Sequence, residues 1–287
     1  MSTLRDVLAA ARARGLERLD AQLLLAHVLG CNRAWLLAHD DRDIASEQAA
    51  RFEQLVARRA AGEPFAYIVG GKEFHGLSLQ VDERVLVPRP DTEVLADWAI
   101  ELLRGELSDT ERPEVVDLGT GSGAIALAVS RACPTAHVTA TDASPEALEV
   151  ARANAASLGL PIDTACGSWW DAVPGLRVHL ALSNPPYIAA GDPHLAALHA
   201  EPRAALTPGE TGLESLRQIV AGAAAHLQPR AWLLLEHGFD QADAVRSLLH
   251  VRGFSRVNTR HDLAGRARCS GGCLDLPAAA CRGATSS

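Results

Sequence analysis

Glu114-Val-Val-Asp117-Leu-Gly119-Thr-Gly121-Ser-Gly123-Ala, residues 114–124, is the stretch that decides the fold. Its first half is a short apolar run, which predicts a buried strand. The glycines that follow let the backbone turn sharply and approach a ligand closely, and the amides at the start of the next helix favour an acceptor group. No Gly-Lys-Ser or Gly-Lys-Thr follows, so the loop is not a P-loop for nucleoside triphosphates.

An acidic residue supports this interpretation of the glycine loop. Asp142 ends the next predicted strand, 19 positions after Gly123, where a carboxylate can accept both ribose hydroxyls. Strand, glycine loop, helix, strand and acid together predict a site for an adenosine cofactor. Because Ala124 also satisfies the dinucleotide spacing, a nicotinamide dehydrogenase stays open as an alternative. The predicted cofactor residues are Asp117, Gly119, Thr120, Gly121, Ser122, Gly123 and Asp142.

A second signal follows the predicted strand Val178–Leu182, at Ser183-Asn184-Pro185-Pro186-Tyr187. Two successive prolines remove two backbone donors and fix two φ angles, so the strand must stop in a rigid extended turn. Ligands bind at the carboxyl ends of strands in open α/β sheets, and a rigid loop with an amide and an aromatic ring suits a planar, uncharged polar group. An Asn-Pro turn is also a common loop signal. The predicted substrate-binding residues are Asn184, Pro185, Pro186 and Tyr187.

Two adjacent tryptophans follow the third predicted strand, near Ile162. One of such a pair can cover an adenine ring while the other packs in the core, so Trp169 is predicted to contact the cofactor and Trp170 to be a core residue. No Gly-x-Ser-x-Gly elbow and no His-Glu-x-x-His helix occurs, which argues against hydrolase chemistry. The six cysteines lack a paired framework and a zinc spacing, which favours reduced thiols and no metal.

The residue pattern divides the chain into segments of different type. Residues 1–64 show helical spacing only, whereas alternation at Leu77, Leu79 and Val81 predicts a short hairpin within a linker over residues 65–90. Residues 91–278 alternate strands with helices, which predicts an α/β domain whose parallel sheet has helices on both faces. Residues 279–287 are small and polar and are predicted to be a disordered tail. Other predicted strands are His137–Thr141, Ala231–Glu236 and Phe254–Thr259.

Composition limits the partners that this chain can have. Its 287 residues, 48% hydrophobic and 22% charged, suit a globular protein of two domains. The formal net charge of -8 argues against sequence-independent binding to the phosphate backbone of nucleic acid, and we expect no direct nucleic-acid binding. The N-terminus lacks the order of a signal peptide, and no apolar run reaches membrane-spanning length. We therefore expect a cytoplasmic protein without membrane contact, and a monomer.

Further motifs make the pattern more specific than a glycine loop alone. They are Arg58–Pro64 with Tyr67, Glu73-Phe74, Val87–Glu93, Asp192–Leu195, Glu201-Pro202 and Leu234–Gly238. With the glycine loop and Asn184–Ile188, the chain resembles the bacterial HemK/PrmC family of peptide-chain release factor glutamine methyltransferases, which use S-adenosylmethionine. The likeness spans nearly the whole chain. The segment from Cys269 onward departs from the family's usual last strand and looks more like a tail.

The resemblance implies a Rossmann-like class I methyltransferase domain behind a small helical domain that recognises the substrate. It implies methylation of the side-chain nitrogen of the glutamine in the Gly-Gly-Gln motif of class 1 release factors, with S-adenosylhomocysteine as product. The Asn184 side-chain oxygen and the Pro185 carbonyl would accept the two amide hydrogens, Tyr187 would pack against the glutamine, and Asn184 would also contact the cofactor. A ribosomal-protein glutamine or a nucleic-acid amino group is equally planar and stays open. The negative net charge and the helical first domain favour a protein as the substrate.

Overall fold

The structure, a computed structural model, describes residues 2–275, and the chain divides into two compact units between Gly71 and Lys72. The predicted tail over residues 279–287 lies outside the described residues. In the described part, no helix is both long and apolar enough to cross a membrane. Each unit has its own hydrophobic core, and the predicted cofactor and substrate residues all lie in the second unit.

The first unit is helical within its described residues. On α4 the buried residues Phe52, Leu55 and Val56 fall at i, i+3 and i+4, which places them on one face of the helix. They pack with Leu24 and Leu25, which are fully buried. The helices are α1 Leu4–Ala13, α2 Arg18–Leu29, α3 Arg33–Ala38, α4 Ser46–Ala60 and α5 Phe65–Val69.

A short hairpin connects the helical unit to the rest of the chain. Its strands are β1 Gly71–Phe74 and β2 Leu77–Gln80, and Leu77 and Leu79 are buried as their alternation predicted. Residues 65–69, at the start of the predicted linker, form α5. Gly70 ends that helix at a φ of 72°, a left-handed conformation that glycine adopts without a Cβ clash.

The second unit is built on one mixed sheet with helices on both faces. Helices α6, α7 and α8 cover one face, and α9 and α10 cover the other. Its strands are β3 Glu114–Leu118, β4 His137–Asp142, β5 Asp163–Cys166, β6 Val178–Ser183, β7 Leu227–Glu236, β8 Phe254–His261 and β9 Ala267–Leu274. Its helices are α6 Glu93–Arg104, α7 Ala124–Ala132, α8 Pro145–Leu158, α9 Glu214–His226 and α10 Ala242–Val251. Short 3₁₀ turns lie at Pro90–Thr92, Trp169–Ala172, Pro193–Leu198 and Arg203–Ala205.

The strand order within the described residues is β5-β4-β3-β6-β7-β9-β8. From β5 to β7 neighbouring strands are parallel, as predicted. The chain runs from β3 outward to β4 and β5, and then crosses back to place β6 on the other side of β3. Ligands bind where the strand order reverses in this way, outside the carboxyl ends of the strands. Here the reversal lies between Leu118 and Ser183, whose Oγ donates to the Leu118 carbonyl at 2.6 Å.

The segment from Cys269 onward begins differently from what the sequence predicted. Its residues 269–274 belong to β9, a strand inserted between β7 and β8 and antiparallel to both, so the sheet is not all parallel and these residues are not a tail. Two central glycines hid the strand, because glycine usually weakens a strand interior. Here Gly271 permits close packing, since a Cβ on it would lie 2.4 Å from Leu234 Cδ2 and 2.8 Å from the Leu233 carbonyl oxygen.

Candidate active site

The glycine loop leaves the carboxyl end of β3 in a conformation that requires its glycines. Gly119, Gly121 and Gly123 have φ angles of 76°, 54° and 82°, which side-chain-bearing residues rarely adopt. The amides of Gly119 and Thr120 both donate to the Thr141 carbonyl, at 2.9 and 2.8 Å, which ties the loop to the end of β4. Among the described residues, apart from the two chain neighbours, no heavy atom lies within 4 Å of the point where a Cβ of Gly121 would be. The loop therefore leaves room for a ligand against its backbone.

Asp117 lies beneath this loop and is fully buried. Its Oδ2 accepts a hydrogen bond from the Thr120 hydroxyl at 2.7 Å, while its Oδ1 has no hydrogen-bond partner among the described residues. Burial raises the pKa of this carboxyl from 3.8 to about 7, and the hydrogen bond from the Thr120 hydroxyl opposes the rise. A buried acceptor without a partner is costly, so the site lacks a donor at this point. An ammonium group would supply it.

Asp142 lies at the end of β4 and holds the same loop from the other side. Its Oδ2 accepts from the Gly121 amide at 2.9 Å, and its Oδ1 accepts from the Ser144 amide at 2.9 Å. Each carboxylate oxygen accepts more than one hydrogen bond, so both keep capacity for a ligand hydroxyl. The predicted residue is therefore next to the glycine loop, half-buried, with acceptor capacity to spare.

The two adjacent tryptophans differ in burial and in what they contact. Trp170 is buried, its Nε1 donates to the Ile219 carbonyl at 2.8 Å, and its ring stacks on His226. Trp169 is half-buried, and its ring lies over the glycine loop, since a Cβ on Gly119 would be 3.1 Å from Trp169 Cζ3. The Trp169 backbone has a φ of 48°, an uncommon conformation for a bulky residue, and its Nε1 donates to Gln218 at 2.9 Å.

Asn154 on α8 supports the loop and was missed by the sequence analysis. It is buried, and its Nδ2 donates to the carbonyls of Ser122 at 2.9 Å and Gln80 at 3.0 Å. Its Oδ1 accepts from the Gln80 amide at 2.7 Å. One side chain thus connects the glycine loop to the hairpin. No motif marks such a residue, because its partners lie 32 and 74 positions away in sequence.

The Asn184–Tyr187 loop begins at the carboxyl end of β6, next to the glycine loop across the β3–β6 pair. Asn184 Nδ2 donates to the hydroxyl of Thr92, the residue before α6, at 3.2 Å, and Pro185 is buried. Among the described residues, Oδ1 of Asn184 has no hydrogen-bond partner. The backbone beyond is also fixed, because the Tyr187 carbonyl accepts from Gln241 Nε2 at 3.0 Å and the Ile188 amide donates to the Leu206 carbonyl at 3.0 Å.

Tyr187 extends toward the end of β7, where Glu236 is buried with 1% exposure. The phenol donates to Glu236 Oε1 at 3.3 Å, while Oε2 has no hydrogen-bond partner among the described residues. Burial raises the pKa of Glu236 to about 7, and neighbouring Thr92 and Arg268 oppose the rise. Burial also raises the pKa of Tyr187, so the phenol stays protonated as a donor. The sequence analysis placed Glu236 near a strand end without a role.

Two more predicted segments meet beside this edge. Glu201 is buried, and it accepts a hydrogen bond from the Val87 amide at 3.1 Å and forms an ion pair with Arg89. The ion pair joins the Val87–Glu93 motif to the Glu201-Pro202 motif, which are more than a hundred positions apart. Among residues 2–275, no three His, Cys, Asp or Glu side chains are grouped so that they could hold a metal ion.

Both units of the chain match protein families that are already known. The profile of the PrmC N-terminal domain matches residues 2–70, and that of the methyltransferase small domain matches residues 93–211. A release factor glutamine methyltransferase of Bordetella pertussis is 49% identical over 277 residues, covering 96% of this chain and all of the relative. A protein of the same description from Xylella fastidiosa is 46% identical, covering 93% of this chain and 96% of the relative.

Solved structures of methyltransferases share the fold. A methyltransferase from Pyrococcus furiosus superposes with a TM-score of 0.51 at 19% identity, covering 81% of this chain and all of the other. The ribosomal protein L11 methylase of Lactobacillus delbrueckii subsp. bulgaricus gives a TM-score of 0.50 at 22% identity, covering 69% and 86%. At these identities the likeness concerns the fold alone. The sequence relatives decide the family: this chain belongs to the release factor glutamine methyltransferases.

Proposed function

We propose that this chain transfers a methyl group from S-adenosylmethionine to the side-chain nitrogen of the glutamine in the Gly-Gly-Gln motif of class 1 release factors. One observation carries the proposal. The rigid Asn184–Tyr187 loop lies across the β3–β6 pair from the glycine loop. Among the described residues, the side-chain oxygen of Asn184 and the buried Oδ1 of Asp117 have no hydrogen-bond partner. The family to which the chain belongs supplies the substrate class.

The residues around the glycine loop fit S-adenosylmethionine, which supplies an electrophilic methyl group on a sulfonium sulfur. Asp117 would hold the ammonium of the methionine end, because its Oδ1 is buried without a partner. The amides and open backbone of Gly119–Gly123 would accommodate that end of the molecule, with Thr120 and Ser122 holding the loop in shape. Asp142 would accept the ribose hydroxyls, and Trp169 would cover the adenine.

The Asn184–Tyr187 loop would hold the glutamine. An amide nitrogen is a poor nucleophile because its lone pair is delocalised into the carbonyl, so the site must orient it rather than deprotonate it. The Asn184 side-chain oxygen and the Pro185 carbonyl would accept its two hydrogens. This arrangement aims the lone pair at the methyl group and stabilises the positive charge that develops on nitrogen. Pro186 keeps the loop rigid, and Tyr187 would pack against the glutamine.

The nearest alternative is the same chemistry on a ribosomal-protein glutamine or on an amino group of nucleic acid. The net charge of -8 and the helical first unit favour a protein substrate. We infer a cytoplasmic location because release factors act there. A monomer that binds no nucleic acid stays a prediction from the sequence.

The test incubates purified protein with labelled S-adenosylmethionine and either a release factor or total RNA and DNA. We expect label in the release factor and none when the glutamine of its Gly-Gly-Gln motif is replaced. Asn184→Ala should lower kcat by about 100- to 1,000-fold, the usual loss for one oriented transition-state partner. Asn258→Ala, an exposed asparagine on β8, is the matched control and should leave kcat unchanged. Label in nucleic acid alone, or normal turnover in Asn184→Ala, would contradict the proposal.

A further inference from the structure

We propose that Gln241, the residue before α10, is a positioning residue for methyl transfer that holds the Asn184–Tyr187 loop by the Tyr187 carbonyl. The inference rests on the role proposed above for this loop, and it adds a residue that would not itself touch the reacting atoms. Gln241 is half-buried, and its side chain lies between the end of the loop and the backbone that leaves β7. It therefore joins two segments that lie 54 positions apart in sequence.

The loop needs such an anchor because its two prolines cannot supply one. Pro185 and Pro186 have no backbone N–H, so neither can donate a hydrogen bond to the surrounding structure. The Pro185 carbonyl, proposed above to accept one hydrogen of the substrate amide, must nevertheless keep a fixed direction. A backbone carbonyl follows the residues on either side of it. The loop is fixed on one side by β6, so the direction of this carbonyl depends on how Tyr187 is fixed on the other side.

The side-chain amide of Gln241 has hydrogen-bond partners at both of its ends. Its Nε2 donates to the Tyr187 carbonyl at 3.0 Å and to the Gly212 carbonyl at 3.4 Å. Its Oε1 accepts from the Gly238 amide at 2.9 Å. The Gly238 backbone is held in turn, because its carbonyl accepts from the Gln241 backbone amide at 2.9 Å. The Tyr187 carbonyl is therefore tied to the turn between β7 and α10.

These partners also decide which way the Gln241 amide faces. A glutamine amide has a donor end and an acceptor end of nearly the same shape. Rotated by half a turn, the NH₂ would face the Gly238 N–H, and the oxygen would face the carbonyls of Tyr187 and Gly212. Every contact would then join two donors or two acceptors. The donor end of Gln241 therefore stays on the loop, without help from any ionisable group.

Gly212 leaves the space in which this contact forms. It is buried, with a φ of 75°, and a Cβ on it would lie 2.4 Å from the Tyr187 carbonyl oxygen and 3.0 Å from Gln241 Nε2. The Tyr187 oxygen belongs to the backbone, so it cannot move away without moving the loop. A side-chain hydrogen bond and a close backbone approach thus fix the same carbonyl from two elements.

The first experiment compares Gln241→Met, which removes both polar ends, with Gln241→Glu, which keeps an acceptor for the Gly238 amide. At pH 8 the introduced carboxylate cannot donate to the Tyr187 carbonyl. We expect both variants to lower kcat by about 10- to 100-fold, as misplacement of a catalytic group does, while affinity for S-adenosylhomocysteine stays within twofold. Gln228→Met is the matched control, because Gln228 also donates to a backbone carbonyl, that of Arg177, but at the opposite end of β7.

The pattern of losses separates positioning from general damage. Turnover of Gln241→Met within twofold of wild type would overturn the inference. Wild-type turnover in Gln241→Glu beside a loss in Gln241→Met would assign the effect to the Gly238 contact and not to the loop, and would overturn it as well. So would a loss of cofactor affinity as large as the loss of kcat, because the whole site would then be disturbed.

The second experiment moves the loop from the other side. Gly212→Ala should lower kcat by about 10- to 100-fold, because its methyl group must displace the Tyr187 carbonyl. Gly175→Ala is the control for the cost of the backbone conformation: its φ is 77°, and apart from the chain neighbours no heavy atom of the described residues lies within 4 Å of its Cβ position. It should lower the melting temperature and leave kcat unchanged. Equal turnover in the two variants would contradict the close approach at Tyr187.

A third measurement does not depend on methylation. The chain has two tyrosines, Tyr67 and Tyr187, so isotope labelling of the tyrosine carbonyl carbon gives two resonances, which Tyr187→Phe assigns. The Tyr187 resonance should shift in Gln241→Met and not in Gln228→Met, while that of Tyr67 stays in place. A Tyr187 resonance that ignores Gln241→Met would overturn the contact even if release factor is methylated. A shift as expected in a protein that does not methylate release factor would instead refute the proposed substrate and leave the contact supported.

Discussion

Replacing Asp117 with asparagine should separate the stability of the protein from its affinity for the cofactor. The Asp117 carboxyl is fully buried, and desolvation raises its pKa from 3.8 to about 7. Because the folded-state pKa is raised, the folded protein holds this proton more tightly than the unfolded chain does. The Asp117 carboxyl therefore makes its full contribution to the free energy of unfolding below about pH 4, and this contribution is lost as the pH rises through 7. The loss at pH 8 is on the order of 4 kcal/mol.

Cofactor binding should follow the opposite trend with pH. An ammonium group beside Asp117 Oδ1 would pair only with the ionised carboxylate, and at pH 6 about a tenth of it is ionised. We therefore expect S-adenosylhomocysteine, which keeps the ammonium, to bind about tenfold more weakly at pH 6 than at pH 8. Asp117→Asn should lose about 10- to 100-fold in affinity at pH 8, the worth of a charged hydrogen bond, and should show no such pH dependence.

Calorimetry at the two pH values, in buffers of different ionisation enthalpy, measures both the affinity and the protons released on binding. Thermal melting of the ligand-free protein measures stability: from pH 5 to 8 the free energy of unfolding should fall more for wild type than for Asp117→Asn. Glu236→Gln serves as the control, because Glu236 has a similar pKa but makes no contact with the glycine loop, and it should keep the wild-type binding profile. An unchanged pH dependence in Asp117→Asn would refute the assignment of the ammonium to Asp117.

Two glycine substitutions test the fold around the site. Gly119→Ala places a Cβ 3.1 Å from the Trp169 ring on a backbone with a φ of 76°. It should lower the free energy of unfolding by about 1–2 kcal/mol. It should also weaken cofactor binding, which calorimetry measures. Gly159→Ala, at a φ of 64° with nothing within 4 Å, is its control and should lower stability alone. Gly271→Ala forces a methyl group against Leu234 and should lower the free energy of unfolding by about 1–3 kcal/mol in denaturant titrations, and a neutral result would contradict the close packing of β9.

The parts of the fold that the sequence predicted are those encoded locally. Strand β3 was predicted with its observed bounds, and β4 and β6 each run one residue further than predicted. Each is an apolar run that ends at a glycine, an acid or a proline, so its own residues decide where it stops. Strand β9 was missed because its interior glycines are explained by close contacts with other elements, such as Gly271 against Leu234 on β7, and those contacts cannot be read from the sequence.

The same distinction holds within the site. Residues predicted to contact the cofactor lie at strand ends and within a recognisable motif, and the structure places Gly121, Asp142 and Trp169 around one loop. Asn154 and Glu236 were not assigned roles because their hydrogen-bond partners lie on other elements. A buried asparagine on a helix has many ordinary explanations in sequence. Its partners become known only when the sheet brings distant segments together.

Three buried carboxyl groups, those of Asp117, Glu201 and Glu236, lie near the carboxyl edge of the sheet, and they differ in whether a cation pairs with them. Glu201 has Arg89 and a backbone amide, so its charge is paired within the chain. Among the described residues, Asp117 and Glu236 form no ion pair, and burial raises the pKa of both to about 7. Two such acids need a reason other than stability, because burying an ionisable carboxyl without a paired cation is costly. The missing cation at Asp117 fits a positively charged ligand, whereas Glu236 accepts a hydrogen bond from the Tyr187 phenol at the end of the Asn184–Tyr187 loop.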